Sequence, residues 1–171
     1  MNRTSIAFAA LIALSATTPA HAGELFGGLF VHDVKLPLDK SGIESGLDVQ
    51  VGYRGAGILH TPLQPYVFAA VNTAGETNYA AVGLSAKFGH RIYIRPGLGL
   101  AVHTGSAGRF YRTDKIAFGS RVLFEPELGV GTELNDHVSV EASWVHMSHA
   151  QLFSHENPGI DNLGVRLGLK L

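Results

Sequence analysis

Apolar and polar residues alternate along most of this chain with a period of two, the pattern of strands that show one greasy face and one polar face. From Gly46 to Arg54, Leu47, Val49, Val51 and Tyr53 alternate with Asp48, Gln50, Gly52 and Arg54. From Tyr79 to Phe88, Ala80, Val82, Leu84, Ala86 and Phe88 oppose Tyr79, Ala81, Gly83, Ser85 and Lys87. The cleanest run sets Ile92, Ile94, Pro96, Leu98, Leu100 and Val102 against Arg91, Tyr93, Arg95, Gly97, Gly99 and His103. Val122, Phe124, Pro126, Leu128 and Val130 then oppose Arg121, Glu125, Glu127, Gly129 and Gly131, and Leu163 to Leu171 repeats the alternation to the last residue. Glu24 to Val34 is less regular, and Tyr66 to Val71 is apolar on both faces, so its orientation stays open. A further strand from His137 has Val138, Val140, Ala142 and Trp144 on its apolar face.

Eight strands of about ten residues, apolar on one side and charged or glycine on the other, predict an all-β fold: an eight-stranded antiparallel outer-membrane β-barrel. Arginine and glutamate would pair inside it, with glycine making room. The linkers agree. Gly89-His90 and Asn135-Asp136 are tight, as periplasmic turns are, whereas Lys35 to Ile43, Gly105 to Ala117 and His149 to Ile160 are long. Gly55 to Pro62 is longer than a periplasmic turn needs. The competing architecture is a soluble antiparallel sandwich or barrel with its apolar faces turned inward.

The amino terminus sharpens the choice. Arg3, an apolar run from Ile6 to Leu14 and then Ala20-His21-Ala22 form a cleavable signal peptide, residues 1–22, ahead of a barrel over residues 23–171. That apolar run is too short to cross a bilayer as a helix. The signal holds one of the 13 basic residues and no acid, leaving 12 basic against 14 acidic side chains and a net charge of −2. Nucleic acid is therefore not an expected partner. With no cysteine, neither disulfides nor thiolate metal sites are available.

The candidate chemistry lies where the strand from His137 ends. Past Trp144, the next residues on the apolar face are His146 and Ser148, with Cα atoms roughly 7 Å apart. Counting back from Leu163, Asp161 shares the apolar face of the neighbouring strand. A hydroxyl, an imidazole and a carboxylate on one outward patch are the components of a serine nucleophile, its base and the acid that orients the base. The bland reading of the same residues is an interfacial rim where lipid meets water. A zinc site from His146, His149 and His155 beside Glu156 is disfavoured, because His146 and His149 have opposite parity.

The stretch His146-Met147-Ser148-His149-Ala150, followed by Asn157-Pro158-Gly159-Ile160-Asp161 and a terminal strand, resembles the lipid A 3-O-deacylase (PagL) family. The family pattern is His-x-Ser-Asn-(Ala/Gly), a short loop, then Asn-Pro-Gly and an acidic residue. The resemblance implies an outer-membrane esterase that removes the ester-linked 3-hydroxyacyl chain at the 3 position of lipid A, without metal or cofactor. On that pattern His146 is the base, Ser148 the nucleophile and Asp161 the acid, with Glu156 as the alternative acid. His149 stands where the family has an asparagine assigned to the oxyanion, so His149 and the Ala150 backbone are the oxyanion candidates. Arg109, Arg112 and Lys115, in the longest extracellular loop, are candidates for the lipid A phosphates, against the plain reading of a solvated loop. The expected partners are lipopolysaccharide as substrate, the surrounding outer-membrane lipids and a second copy in a homodimer. The rival functions are a non-catalytic structural or adhesive barrel and an esterase on other membrane lipids.

Overall fold

The computed structural model describes residues 23–36, 42–108, 114–153, 155 and 157–171. The predicted signal peptide lies outside them. Eight long strands follow in chain order: β1 (Glu24–Val31), β2 (Leu47–Arg54), β3 (Leu63–Asn72), β4 (Tyr79–Ala86), β5 (Ile92–His103), β6 (Val122–Glu133), β7 (Val138–Met147) and β8 (Ile160–Lys170). Each pairs antiparallel with the next, β4 pairs with β5, and β8 returns to β1, so the sheet closes with no free edge. A barrel is how a sheet satisfies every backbone group inside lipid.

The faces fall as the alternation predicts. Val51, Ile92 and Leu98 on the outer wall are 64%, 74% and 61% exposed, and they belong to a band of leucine, valine and isoleucine that runs around the barrel. An apolar surface of that extent needs lipid around it, which rules out the soluble sandwich. The strand left open, β3, turns Tyr66, Phe68, Ala70 and Asn72 inward and Val67 and Val71 outward.

Inside, three arginines are stacked among carboxylates. Arg54 and Arg95 reach Glu24 at 2.8 and 3.0 Å, and Arg166 meets Glu127 at 2.7 Å and Gln50 at 2.6 Å. The Arg166 guanidinium also lies over the rings of Phe26, Phe30 and Phe68. Glycine supplies the room: a Cβ on Gly129 would sit 2.3 Å from the Glu141 carboxyl carbon, and one on Gly97 would sit 2.6 Å from Glu127. The lumen is a packed polar core rather than a channel.

Prolines explain where the ladders pause. The β4–β5 register would set Pro96 against Ala86, and the pairing lapses there before a two-residue strand, Phe88–Gly89, resumes against β5. Proline has no N–H to give. The Gly55 to Pro62 linker is folded rather than slack, with a single 3-10 turn at Ile58–His60.

At the end opposite the chain termini the loops close over the mouth. β1 ends earlier than the alternation suggests: His32 turns inward and Asp33 takes a left-handed φ of 52°. His32 lies between two carboxylates, 2.9 Å from Asp48 and 3.1 Å from Glu44. Glu44 in turn accepts the Thr77 and Ile116 N–H groups. Burial works against both charges. The hydrogen bonds outweigh it, holding the His32 imidazolium up at about 9 and Glu44 down at about 2. Ile116, Ala117 and Phe118 are buried beside this cluster, so the long loop after β5 folds back into the barrel.

Candidate active site

His146 and Asp161 are direct cross-strand partners on β7 and β8. Both side chains project from the outer wall, where the alternation put them. Histidine Nδ1 lies 3.0 Å from Asp161 Oδ1, which assigns the proton to Nδ1 and leaves Nε2 as the lone-pair nitrogen. Asp161 is only 2% exposed although it faces outward. Trp144 is the reason: its indole covers the carboxylate, donates Nε1–H to the same Oδ1 at 2.6 Å, and stacks on the His146 ring with 5.8 Å between centroids. The Asp161 backbone is pinned from the far side, where its carbonyl accepts the Val34 N–H at 2.6 Å. The next residue, Asn162, points into the lumen, accepting the Asp33 N–H and donating to the Tyr79 hydroxyl.

Ser148 lies two residues beyond His146 on the same face and is half-buried. Its N–H and C=O both pair with Phe124 of β6, at 3.1 and 2.8 Å. Between that bridge and the main ladder stands Pro126, opposite His146 in register. β6 therefore holds Ser148 firmly while presenting a proline ring to the imidazole.

The loop that returns to β8 frames the other side. Asn157 accepts the His149 N–H at 2.9 Å, tying the chain after the serine to the Asn-Pro-Gly corner. Gly159 then turns with a φ of 69°, and a Cβ placed there would be 3.0 Å from His146 Cε1. Only glycine combines that backbone with that approach. Ala150 and Gln151 are both left-handed, at 50° and 60°, so the backbone directly after Ser148-His149 is strained for ordinary residues.

Of the residues singled out from the sequence, His146, Asp161 and Ser148 are gathered on one outward patch at the end of β7 and β8 opposite the chain termini. His149 is fully buried; its N–H is taken by Asn157 and its Nδ1 accepts the Phe153 N–H at 3.5 Å. Ala150 is exposed next to it. Lys115 is paired with Glu76. Arg109, Arg112 and Glu156 lie outside the described residues, and among the described ones no three His, Asp or Glu side chains gather as a metal site. The sequence reading passed over Trp144, Asn157 and Gly159 as site residues. Trp144 carried a signal, since it shares the face of His146 and precedes it by two.

Comparison with known proteins fits this geometry. The family model described as lipid A 3-O-deacylase (PagL) matches residues 46–170. The crystal structure of the outer membrane enzyme PagL superposes with a TM-score of 0.58 at 20% identity, covering 85% of this chain and 99% of that one. Barrels of other kinds share the fold. Neisserial surface protein A aligns with a TM-score of 0.54 at 12% identity, covering 87% of this chain and 97% of its own. The Yersinia pestis outer membrane protein Ail aligns with a TM-score of 0.52 at 12% identity, covering 88% and 99%. No curated protein matches the sequence. The fold alone is thus common to several kinds of outer-membrane barrel, but the family model spans most of the chain, including both strands that carry the histidine and the aspartate: this outer-membrane β-barrel belongs to the lipid A 3-O-deacylase (PagL) family.

Proposed function

We propose that this protein is a serine esterase that removes the 3-hydroxyacyl chain esterified at the 3 position of lipid A. The observation that carries this reading is the His146–Asp161 pair, 3.0 Å apart and facing lipid, two residues from a serine on the same face. Such a pair has no structural task on an outer wall, where an apolar pair would serve better.

In the mechanism, Ser148 Oγ attacks the ester carbonyl while His146 Nε2 takes its proton. Asp161 stabilises the imidazolium through Nδ1–H. The C–O bond to the glucosamine breaks as His146 returns the proton to the departing sugar hydroxyl, leaving an acyl-Ser148. Water, deprotonated by the same imidazole, then releases the 3-hydroxy fatty acid. The Ala150 N–H, on an exposed residue just past Ser148, is the donor assigned to the oxyanion; the His149 imidazole, the other candidate, is fully buried. The acyl chain lies along the outer wall beneath Ser148, against Val140, Ala142, Val165 and Leu167. The substrate then never leaves the bilayer. Lys115 already has Glu76 as a counter-ion, which favours the other cations of the loop for the phosphates.

The test is the mass spectrum of lipid A from cells that place this chain in their outer membrane. Wild type should yield lipid A lighter by one hydroxyacyl chain, and Ser148→Ala should restore the full mass. Unchanged lipid A with wild-type protein in the membrane would leave a non-catalytic barrel. Release of fatty acid from phospholipid but not from lipid A, by purified protein in detergent, would reassign the substrate.

A further inference from the structure

We propose that Trp144 is a positioning residue of this site, a fourth member that sets the carboxylate through which His146 acts. The proposal rests on the triad reading above, but it adds a residue which that reading does not require. A tryptophan on the outer wall of a barrel ordinarily anchors the lipid–water boundary with its ring in lipid and its N–H toward water or headgroups. Here the N–H is turned sideways along the sheet to Asp161 Oδ1, at 2.6 Å, the same oxygen that holds His146 Nδ1. The ring lies nearly parallel to the imidazole, at 28°.

Strand geometry makes the arrangement possible. Trp144 and His146 are i and i+2 on β7, and Asp161 pairs with His146 while Leu163 pairs with Trp144. Trp144 and Asp161 are therefore diagonal neighbours on one face, within the reach of an indole. Three consequences follow. The shared hydrogen bond fixes which carboxylate oxygen meets the imidazole. It withdraws negative charge from that oxygen, so the imidazolium is held less tightly than by a bare carboxylate. The indole also keeps lipid and stray water off Asp161, leaving it 2% exposed. Among the described residues, Gly159 from the loop before β8 approaches the imidazole and Pro126 stands opposite it in the β6 register, and neither titrates.

Two measurements on the full-length protein in detergent test this. The first removes the N–H and keeps an aromatic ring, Trp144→Phe, with lipid A as substrate. The acid limb of the kcat profile should move up by roughly half a pH unit to one unit, because the carboxylate regains its full hold on the imidazolium. Turnover at the plateau should nevertheless fall about 3- to 10-fold, because the carboxylate is no longer fixed against the imidazole, with KM within about twofold. A profile superimposable on that of wild type, or a change in KM alone, overturns the proposal and returns Trp144 to the role of interfacial anchor.

The second measurement needs no active variant. Trp144 is the only tryptophan in the chain, so the intrinsic emission reports this one contact. Emission should titrate in a single step as His146 is protonated beside the ring. The step should persist in Ser148→Ala and vanish in His146→Asn. Emission that ignores His146→Asn overturns the proposal even if Trp144→Phe fails to fold. A persistent step in a protein that leaves lipid A intact would instead locate the failure in the proposed activity.

Discussion

Replacing Asp161 by asparagine is the sharpest perturbation of this site, because it deletes one charge and almost no volume. Asp161 Oδ1 receives two donors, Trp144 Nε1–H and His146 Nδ1–H. Asparagine retains one acceptor oxygen but brings an NH2 group. That oxygen can go on accepting both N–H groups, so the imidazole keeps its tautomer and what is lost is the charge. At 3.0 Å an imidazolium and a carboxylate attract by about 5.5 kcal/mol at an effective dielectric constant of 20. His146 has 21% of its side chain exposed, so water screens part of this and about 4 kcal/mol remains. The pair is fully charged only once Ser148 has surrendered its proton, so the loss falls on kcat, by about 10³-fold. The assay is release of 3-hydroxy fatty acid from lipid A in mixed micelles, with the strand circular dichroism signal confirming the barrel. An Asp161→Asn protein that folds and turns over within about tenfold of wild type would refute the assignment. A large loss in Glu156→Gln instead would move the acid to the loop.

Gly159→Ala should cost about 1 kcal/mol of stability for a left-handed alanine and at least about tenfold in turnover, because the new methyl pushes on His146 Cε1. Gly75→Ala is the control, with a φ of 77° and nothing within 4 Å; equal turnover in the two variants would show that the imidazole is not held by Gly159. The mouth cluster predicts a pH window for loop protection. Glu44, lowered from 4.5 to about 2, contributes fully above about pH 4.5 and is lost as pH falls through 2. His32, raised from 6.5 to about 9, contributes fully below about pH 6.5 and is lost as pH rises through 9. Hydrogen exchange at the Thr77 and Ile116 N–H groups, corrected for intrinsic rates, should therefore be slowest between about pH 4.5 and 6.5 and should speed up as pH rises from about 6.5 through 9. Flat protection to pH 10 would contradict the cluster's role.

The barrel was legible because its physical cause has the simplest period available. A wall with lipid outside and charges inside forces alternation, and a slip by one residue would turn Arg54, Arg95 and Arg166 out to lipid. The outward position of His146 and Asp161 came from the same count. β3 resisted because its inner face is aromatic: Tyr66 and Phe68 are as apolar as the lipid side, and they are inside because Arg166 lies over Phe68 and Glu125 bonds to Tyr66. The fold-back of Ile116 to Phe118 was hidden within a loop dominated by charge, although three apolar residues in a row were there to be seen. Trp144, Asn157 and Gly159 could be placed from sequence but not given partners, since a diagonal hydrogen bond, a cap on a backbone N–H and a missing Cβ depend on side-chain direction rather than on parity.

The depth of the site reconciles an ion pair with a lipid-facing wall. A charge on the outer surface of a barrel costs about 2–4 kcal/mol at the bilayer midplane and about 0–1 near the interface. His146 is one residue from the end of β7, and Asp161 is one residue inside β8 at the same rim of the barrel. There the cost is small. Trp144 lowers it further by donating a hydrogen bond to the carboxylate and covering it against lipid. The same depth suits the chemistry. The ester carbonyls of a lipid lie at the interface while its acyl chains hang below, where Ala142, Val165 and Leu167 face outward. In the proposed mechanism the water that cleaves the acyl-enzyme would arrive from the headgroup side. A triad one turn of the pleat deeper would meet acyl chains without water, and one in the loops would meet water without acyl chains. The last residues of β7 and the first of β8 satisfy both requirements of the proposed triad.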